Sequence, residues 1–416
     1  MKNNEKDKGF STRIIAKQYS RPDVHGSIGM PVYRNNAFEF TSSEDIADAF
    51  QNKVVAHTYS RISNPTVENF EEKIKAASGA QFVMAMSSGM AAISNTFLTI
   101  GYAGCNIVTS PHLFGNTFSL LQFTFAAFGV EIRFVNTNNL REIETAIDEN
   151  TCAFFCELIT NPHLEIANLP EISKIAKAKK IPVIVDTTIV PWCGFDAQKA
   201  GVDIEVVSTT KYVSGGATSV GGVIVDYGTF DWSNNKRLAQ IKDMDGHLLF
   251  NFKLRREVGR NVGAYMDPET ASLQALGMET LQVRYDRVSQ SAYELAQFLS
   301  KQKNVTCVNY PKLKSSPYNH IAEQLFKGNP GAMLTFNLVS KEACYRFMNN
   351  LKIIRRATNL FDNKTLIIHP ESTIYGTFSL EHKQVLGIED TLIRLSVGLE
   401  DVEDLKADIT EALNIL

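Results

Sequence analysis

The sequence of 416 residues has only six cysteines, and none of them forms a C-x-x-C pair. It therefore does not predict a zinc ribbon or a thioredoxin-like motif. The eight histidines form no H-x-x-x-H or H-E-x-x-H pattern, so we expect no protein-held metal. Cys152 and Cys156 lie in an apolar stretch, where alternation predicts one shared strand face and burial as small hydrophobic residues. Free core thiols are typical of a reducing compartment, and we expect a cytoplasmic protein.

Long hydrophobic runs and an excess of one charge are also absent. No run of 18 apolar residues could span a membrane, and Met1 to Lys8 lacks the apolar centre of a signal peptide. Lys and Arg number 42 against 45 Asp and Glu, which gives a formal net charge of −3. This balance argues against a nucleic-acid binder and against an acidic disordered protein. At about 100–200 residues per domain, the length predicts two to four domains.

From residue 64 onwards, the sequence shows a regular alternation of helices and apolar strands. Asn64-Pro65 begins a predicted helix that Gly79 ends. The predicted strands are 81–87, 106–110, 130–135, 152–158, 182–186, 204–209 and 222–226, and the helices between them are 88–100, 114–128, 139–148 and 169–180. Strands that are apolar on both faces predict an α/β domain with a large, mainly parallel sheet covered by helices. Ligands bind such sheets at the carboxyl ends of the strands.

The pattern divides the chain into three parts. Residues 1–60 form an arm without a core pattern, of which residues 1–10 are predicted to be frayed. The α/β domain covers 61–262, and a smaller α+β domain covers 263–416. In this last part we predict a long helix at about 269–301, strands at 331–338 and 391–397, and a closing helix at about 401–414.

Two of the predicted strands end in residues suited to binding charged groups. Ser88-Gly89-Met90 opens a helix after strand 81–87, and the free N–H groups of a helix start form an anion site. A helix start made of small residues for packing is the alternative. Asp186 ends strand 182–186, where it either caps the loop or faces a cation such as a protonated ring nitrogen.

Lys211 follows the strand that ends in Ser208-Thr209-Thr210 and precedes the glycine-rich stretch 215–222. A lysine is usually a solvated surface charge, but a lysine desolvated in a pocket becomes an amine nucleophile toward carbonyls. Ser208 and Thr210 supply hydroxyls for phosphate oxygens. The glycine stretch lacks the Lys-Ser/Thr of a phosphate loop, so nucleotide binding is disfavoured.

Two arginines complete the set of candidate site residues. Arg394 shares one face of predicted strand 391–397 with Ser396, and the other face is apolar. It needs an anionic partner, which is either a structural salt bridge or a ligand carboxylate. Tyr59-Ser60-Arg61 pairs a phenol with a guanidinium that either binds phosphate or caps the arm. A phosphorylated pyridine aldehyde requires such a set: a phosphate cradle, a pyridinium partner and a Schiff-base lysine.

The sequence resembles the cystathionine γ-synthase-like enzymes of cysteine and methionine metabolism from about residue 11 to its end. The matching motifs are Tyr59-Ser60-Arg61-x-x-Asn64-Pro65-Thr66, Ser88-Gly89-Met90-Ala91-Ala92, Asn161-Pro162, Val185-Asp186-x-Thr188, Ser208-x-Thr210-Lys211-Tyr212 and Arg394-Leu395-Ser396-Val397-Gly398-x-Glu400. Within the group, 218–226 looks most like the O-acetylhomoserine sulfhydrylases. The resemblance implies the aspartate aminotransferase-like fold, fold type I, with pyridoxal 5'-phosphate as cofactor.

The resemblance also implies a role for each site residue. Lys211 is the catalytic residue and carries the cofactor as a Schiff base, and Asp186 pairs with its ring nitrogen. Arg394, helped by Ser372, binds the substrate carboxylate. The remaining cofactor-binding residues are implied to be Tyr59 and Arg61 from a neighbouring subunit, and Ser88, Gly89, Met90, Phe114, Asn161, Thr188, Ser208 and Thr210. The arm thus contacts a neighbouring subunit in a homo-oligomer, at least a dimer and expected to be a tetramer.

Four positions depart from the family's usual pattern. Phe114 replaces a tyrosine, Thr187 an asparagine, Gly216 a histidine and Tyr375 a histidine. The ring of Phe114 can still stack on the cofactor, but it offers no hydroxyl. We hypothesise that losing the phenol selects for a leaving group such as acetate, which needs no strong acid.

The expected reaction is γ-replacement on O-acetylhomoserine with sulfide or another sulfur donor, which gives homocysteine and acetate in methionine biosynthesis. The alternatives are a γ-lyase or β-lyase of the same family, cleaving cystathionine or methionine, and a non-catalytic homologue. The sequence leaves the acyl group open. It also leaves open whether the donor is sulfide, methanethiol or a sulfur-carrier protein with a thiocarboxylate terminus.

Overall fold

The computed structural model describes residues 8–17, 19, 23–51 and 53–416. Its larger sheet has seven strands: β1 (Phe82–Met86), β2 (Asn106–Thr109), β3 (Glu131–Phe134), β4 (Thr151–Glu157), β5 (Val183–Asp186), β6 (Ile204–Val207) and β7 (Gly222–Asp226). Their order is β1-β7-β6-β5-β4-β2-β3. Only β7 is antiparallel to its neighbours, and the other pairs are parallel. The predicted mainly parallel α/β sheet is confirmed.

Helices pack on both faces of this sheet. The helices in the first half of the chain are α1 (Phe10–Ile15), α2 (Ser43–Phe50), α3 (Pro65–Ser78), α4 (Gly89–Ile100), α5 (Gly115–Ser119), α6 (Leu140–Ala146) and α7 (Leu169–Lys179), of which α2 buries no residue. Successive residues of β1 enter different hydrophobic clusters: Val83 and Ala85 join one, and Met84 and Met86 join the other. Asn64 begins α3 by accepting a hydrogen bond from the Thr66 N–H, as the sequence predicts.

The second sheet lies in the C-terminal part of the chain. It consists of β8 (Val305–Asn309), β9 (Met333–Leu338), β10 (Arg355–Arg356), β11 (Leu366–Ile368) and β12 (Leu392–Ser396), in the order β10-β11-β12-β9-β8. The remaining helices are α8 (Leu249–Lys253), α9 (Gly259–Val262), α10 (Pro268–Glu279), α11 (Leu281–Leu299), α12 (Asn319–Phe326), α13 (Lys341–Asn350), α14 (Leu380–Val385) and α15 (Val402–Leu413). The second sheet places Arg394 on its central strand β12.

Two expectations need correction. The helix predicted at 269–301 is two helices, because Thr280 leaves helical geometry at φ −106° and ψ 6° between α10 and α11. Cys152 and Cys156 are both buried, but on opposite sheet faces, because the pairing of β2 with β4 skips Cys152. Within the arm, Ile14 of α1 is buried in the hydrophobic cluster that also contains residues of α3 and of β1. Residues 1–7 of the predicted frayed tail lie outside the described residues.

Two structural features concern membranes and metal ions. In the described part of the chain, no helix is both long and apolar enough to cross a bilayer. Over the same residues, no group of three or more His, Cys, Asp or Glu side chains is placed to hold a metal ion.

A buried ion pair fixes α3 to the edge of the larger sheet and gives a stability prediction. Glu71 accepts from the Ala85 N–H at 2.8 Å and from Arg255 at 2.7 Å, and burial raises its pKa against the opposing effect of Arg255. Arg255→Met leaves this carboxylate unpaired, so we expect the free energy of unfolding to fall by about 3 kcal/mol in urea titrations. Lys352→Met, which breaks an exposed pair with Glu411, should change it by less than about 1 kcal/mol. Equal effects would contradict the assignment.

Candidate active site

Lys211 lies directly after the turn that follows β6, at the carboxyl edge of the larger sheet. Its Nζ donates to the Oδ1 of Asn359 at 2.8 Å. Burial, followed by the nearby charge of Arg394, lowers its pKa to about 8 against the opposing effects of Asp186 and Asp362. A substantial fraction of this amine is therefore neutral near physiological pH, as a nucleophile toward carbonyls requires.

Arg394 is a buried guanidinium whose protein partners are neutral. One terminal nitrogen donates to the Oδ1 of Asn161 at 3.2 Å, and the other to the carbonyl oxygens of Thr358 at 3.0 Å and Asn359 at 3.4 Å. Among the described residues, its Nε has no hydrogen-bond partner. Burial lowers the pKa of Arg394 to about 10, so it stays charged at neutral pH. A buried cation with a free donor suits an anionic ligand better than an internal salt bridge.

Asn359 joins these two cations and was not singled out from the sequence. Its side-chain oxygen accepts from Lys211, while its backbone carbonyl faces Arg394. It lies in the irregular segment between β10 and β11, more than a hundred residues from Lys211. No local pattern marks such a residue, because its role depends on the contact between the two sheets.

Thr188 connects two neighbouring strand ends. Its backbone N–H donates to the Oδ1 of Asp186 at 2.9 Å, and its hydroxyl oxygen accepts from the Ser208 N–H at 2.8 Å. Burial raises the pKa of Asp186, and hydrogen bonds from Thr188 counteract the increase. The predicted site residues of β5 and of the turn after β6 are therefore brought together.

The N-terminus of α4 lies against the Ser208 turn. Ser88 caps the helix by accepting from the Ala91 N–H at 3.0 Å, and the N–H groups of Gly89 and Met90 have no acceptor within the helix. A Cβ at Gly89 would lie 2.7 Å from the Cβ of Ser208. Glycine thus permits the side chain of Ser208, including its hydroxyl, to lie directly against the N-terminus of the helix. The Thr210 hydroxyl exchanges hydrogen bonds with the backbone of Gly221.

Glu157, which the sequence analysis missed, ends β4 directly beside Asp186. Its carboxyl accepts from the Phe114 N–H and receives a second backbone hydrogen bond from Asn161. Burial, followed by the charge of Asp186, raises its pKa to about 8. Glu157 therefore holds the backbone of both Phe114 and Asn161 at the site. Its position at the end of an apolar strand is the signal that could have identified it.

Ser372 is placed differently from the other predicted residues. Its hydroxyl lies 2.8 Å from the Nδ1 of His369, whose Nε2 faces the carbonyl of Asp390 at 2.7 Å. In the neutral ring, Nε2 must carry the proton, so the Ser372 hydroxyl donates to Nδ1. From the C-terminal part, the guanidinium of Arg394 instead hydrogen-bonds the backbone carbonyls of Thr358 and Asn359.

Tyr59 and Arg61 contact each other and the segment after α8. The Arg61 guanidinium lies 5.5 Å from the centre of the Tyr59 ring and donates to the carbonyl of Arg260 at 2.6 Å. Both residues border an open surface region, and Tyr59 is 44% exposed. The structure does not connect either side chain with Lys211 in the same chain.

The structure shows the surroundings of two of the four positions that depart from the family's usual pattern. Thr187 is buried, and its side chain hydrogen-bonds Glu205, on the opposite side of β5 from Asp186. Tyr375 is buried beside the site, with its hydroxyl 3.4 Å from the backbone oxygen of Asn161. Burial, followed by the charge of Glu157, raises the pKa of Tyr375. Its phenol is therefore neutral.

Comparisons with known proteins agree with this geometry. The family model described as Cys/Met metabolism PLP-dependent enzyme matches residues 11–414. The chain belongs to this family. It is 36% identical to O-acetyl-L-homoserine sulfhydrylase 1 of Thermus thermophilus, over 97% of this chain and 99% of that protein. It is also 36% identical to L-methionine gamma-lyase of Fusobacterium nucleatum, over 94% of each chain.

Two solved structures of PLP-dependent relatives extend the comparison. An O-acetylhomoserine (thiol)-lyase structure from Campylobacter jejuni, with a pyridoxyl-lysine phosphate, has a TM-score of 0.92 and 32% identity over 97% of this chain and 99% of that chain. The O-acetylhomoserine sulfhydrylase of Wolinella succinogenes has a TM-score of 0.77 and 47% identity over 85% and 99%. The fold is that of the fold type I PLP enzymes, with a smaller C-terminal sheet.

The residues of this PLP-dependent enzyme fit the cofactor of its family. The N-terminus of α4 approaches Ser208 closely only because Gly89 has no Cβ, which leaves a compact group of donors for a phosphate. Lys211 supplies an amine of lowered pKa, and Asp186 supplies a carboxyl group for a ring nitrogen. Phosphate, aldehyde and pyridine nitrogen thus each have a chemically suited partner.

The contact between Lys211 and Asn359 predicts the pH dependence of cofactor uptake. Because only the neutral amine attacks an aldehyde, the rate at which cofactor-free protein binds pyridoxal phosphate should rise with pH, with a midpoint near the lysine pKa of about 8. Asn359→Leu removes the acceptor that favours the ammonium form but keeps the site dry, so the midpoint should move to lower pH. Stopped-flow absorbance measures both. A midpoint that stays or rises would contradict the role of this contact.

Proposed function

We propose that the enzyme catalyses γ-replacement on O-acetylhomoserine in methionine biosynthesis: sulfide, or another donor of sulfide sulfur, displaces acetate to form homocysteine, and a thiol donor such as methanethiol would form a thioether instead. The observation that carries the proposal is the link through Asn359 between the Lys211 amine and the buried guanidinium of Arg394. A substrate whose carboxylate binds Arg394 presents its α-carbon on the side of Lys211. Such an arrangement suits an α-amino acid, and the sulfhydrylase relatives support the choice of an acylated homoserine.

Each residue then has a defined task. Bound pyridoxal phosphate supplies an electron-accepting ring that stabilises negative charge at the α-carbon. The Lys211 amine removes the proton from that carbon, for which a pKa of about 8 is suitable. Asp186 keeps the proton on the ring nitrogen, and Arg394 fixes the substrate carboxylate. Ser88, Gly89, Met90 and Ser208 hold the phosphate, while Asn161, Thr188 and Thr210 support this arrangement.

Phe114 supports acetate as the leaving group. Its backbone is held by Glu157, but its ring has no hydroxyl that could protonate a departing thiolate. Acetate is a weak base and leaves without such a proton, whereas a thioether cleavage benefits from it. A γ-lyase reaction is the second candidate, because the methionine gamma-lyase relative is as similar in sequence as the sulfhydrylase of Thermus thermophilus.

Steady-state assays test the reaction directly. The purified protein, loaded with pyridoxal phosphate, should release acetate from O-acetylhomoserine in the presence of sulfide, and methanethiol and a protein thiocarboxylate should be compared as donors. Lys211→Ala should lose both the turnover and the yellow colour of the bound cofactor. Greater activity with O-succinylhomoserine than with the acetyl ester would overturn the choice of acyl group.

The substitution Phe114→Tyr distinguishes a γ-replacement enzyme from a γ-lyase. We expect the native enzyme to use O-acetylhomoserine at least about tenfold faster than it cleaves methionine or cystathionine, and Phe114→Tyr to raise only the cleavage rates. Phe118→Tyr, in the same region but on the side of α5 that stacks on Phe134, is the matched control. Native cleavage as fast as replacement would instead favour the γ-lyase.

We also propose that each active site needs two chains, in a dimer or a tetramer. The exposed pair Tyr59 and Arg61 has no contact with Lys211 of its own chain among the described residues, although its phenol and guanidinium suit a phosphate. Together with the residues of the arm, the pair would complete the phosphate cradle of a neighbouring subunit.

Mixing two inactive variants tests this arrangement. Arg61→Ala and Lys211→Ala dimers, unfolded and refolded together, should form hybrids in which one of two sites is intact and recover about a quarter of the native activity. A mixture of Arg61→Ala with native protein serves as the control for refolding yield. If both residues served the same chain, the two variants together would stay inactive.

A further inference from the structure

A turn of the C-terminal part, residues 359–363, contacts the segment that begins at Lys211. Asn359 accepts from the Lys211 amine at 2.8 Å. The ring of Phe361 stacks on that of Tyr212, with centroids 4.4 Å apart and an angle of 15° between the planes. The Nδ2 of Asn363 donates to the carbonyl of Gly215 at 2.9 Å. Residues 359, 361 and 363 of the turn thus contact Lys211, Tyr212 and Gly215, respectively.

Phe361 occupies this position with an unfavourable backbone conformation. Its φ is 58°, in the left-handed region that bulky side chains rarely adopt. Its N–H donates to the hydroxyl of Ser396 at 2.7 Å, and its side chain is 2% exposed. A residue kept in a strained conformation at the edge of an active site indicates a constraint that the surrounding contacts maintain.

Gly216 provides the space that Asn363 needs. A Cβ at Gly216 would lie 2.4 Å from the Nδ2 of Asn363, and the φ of 134° at Gly216 also disfavours any side chain. The backbone oxygen of Asn363 accepts from the Leu399 N–H at 2.8 Å, which fixes the turn from its other side. The departure at position 216 therefore accompanies the close docking of the 359–363 turn.

We propose that Phe361 and Asn363 are positioning residues for Lys211. Through Tyr212 and Gly215 they hold the lysine segment against the turn, which keeps water from the amine. The inference rests on the proposed role of Lys211 as the residue that binds the cofactor. Because desolvation is the largest cause of the lowered lysine pKa, loosening the turn should raise that pKa toward its ordinary value.

The test uses the full chain with and without pyridoxal phosphate. Phe361→Gly removes the ring and also relieves the backbone strain, Phe361→Tyr keeps the ring, and Asn363→Ala removes one hydrogen bond. Asn304→Ala is the matched control, since that amide donates to the carbonyl of Leu413 at 3.1 Å within the C-terminal part. Thermal unfolding of each variant separates loss of the fold from loss of positioning.

The first measurement is the pH dependence of pyridoxal phosphate uptake by cofactor-free protein. For Phe361→Gly and Asn363→Ala we expect the midpoint to rise, by up to about one pH unit, which makes uptake at pH 7 about tenfold slower. Phe361→Tyr and Asn304→Ala should match the native protein. In the loaded enzyme, kcat should fall more than KM rises, because Arg394 remains in place.

The outcomes are distinguishable. Native midpoints in both Phe361→Gly and Asn363→Ala would overturn the positioning role, even if one variant were less stable. If Phe361→Gly fails to fold, the midpoint of Asn363→Ala decides. If Lys211→Ala retains the absorbance of the bound Schiff base, the proposed role of Lys211 itself is wrong, and the positioning role fails with it.

Discussion

Two cations, Lys211 and Arg394, are held close together at the point where the two sheets meet, and neither is neutralised by an ion pair in the described part of the chain. Each lies where charge is poorly solvated, and the repulsion between them contributes to the lowered pKa of Lys211. Such an arrangement is unfavourable unless a ligand supplies negative charge. This requirement for an anionic ligand accounts for the free Nε of Arg394 and for its neutral hydrogen-bond partners.

The larger sheet places two carboxyl groups side by side at its carboxyl edge. Glu157 and Asp186 are paired across β4 and β5, and burial raises the pKa of both. Two neighbouring carboxyls cannot both ionise easily in such a place. Glu157 uses its oxygens to hold backbone N–H groups, whereas Thr188 joins Asp186 to Ser208. The parallel register thus places a carboxyl that holds the backbone beside the one that we propose to pair with the cofactor.

The sequence could predict what local patterns encode. Apolar runs located the seven strands of the larger sheet, and the residues at or just after the ends of β1, β5 and β6 gave Gly89, Asp186 and Lys211 as candidate site residues. These predictions depend only on periodicity and on the rule that parallel strands end at one edge.

The rest depends on contacts between distant segments. Asn359 is part of the site because it contacts Lys211, which lies 148 positions away in the sequence. In the sequence alone, Glu157 is recognisable only as the last residue of an apolar strand. Cys152 faces away from Cys156 because pairing with β2 skips one residue, which alternation within one strand cannot reveal. The helix break at Thr280 also cannot be recognised in the sequence, because the apolar pattern continues from α10 into α11.

The fit of Asn363 against Gly216 has a consequence for how such sites can be altered. A side chain introduced at position 216 meets the amide of Asn363, whose turn also carries Phe361 and Asn359. If the pocket residues of a relative were introduced one at a time, some intermediate variants would therefore contain a clash between segments 211–216 and 359–363. Segments 211–216 and 359–363 form a single exchangeable unit, so a redesign of specificity must transplant both together.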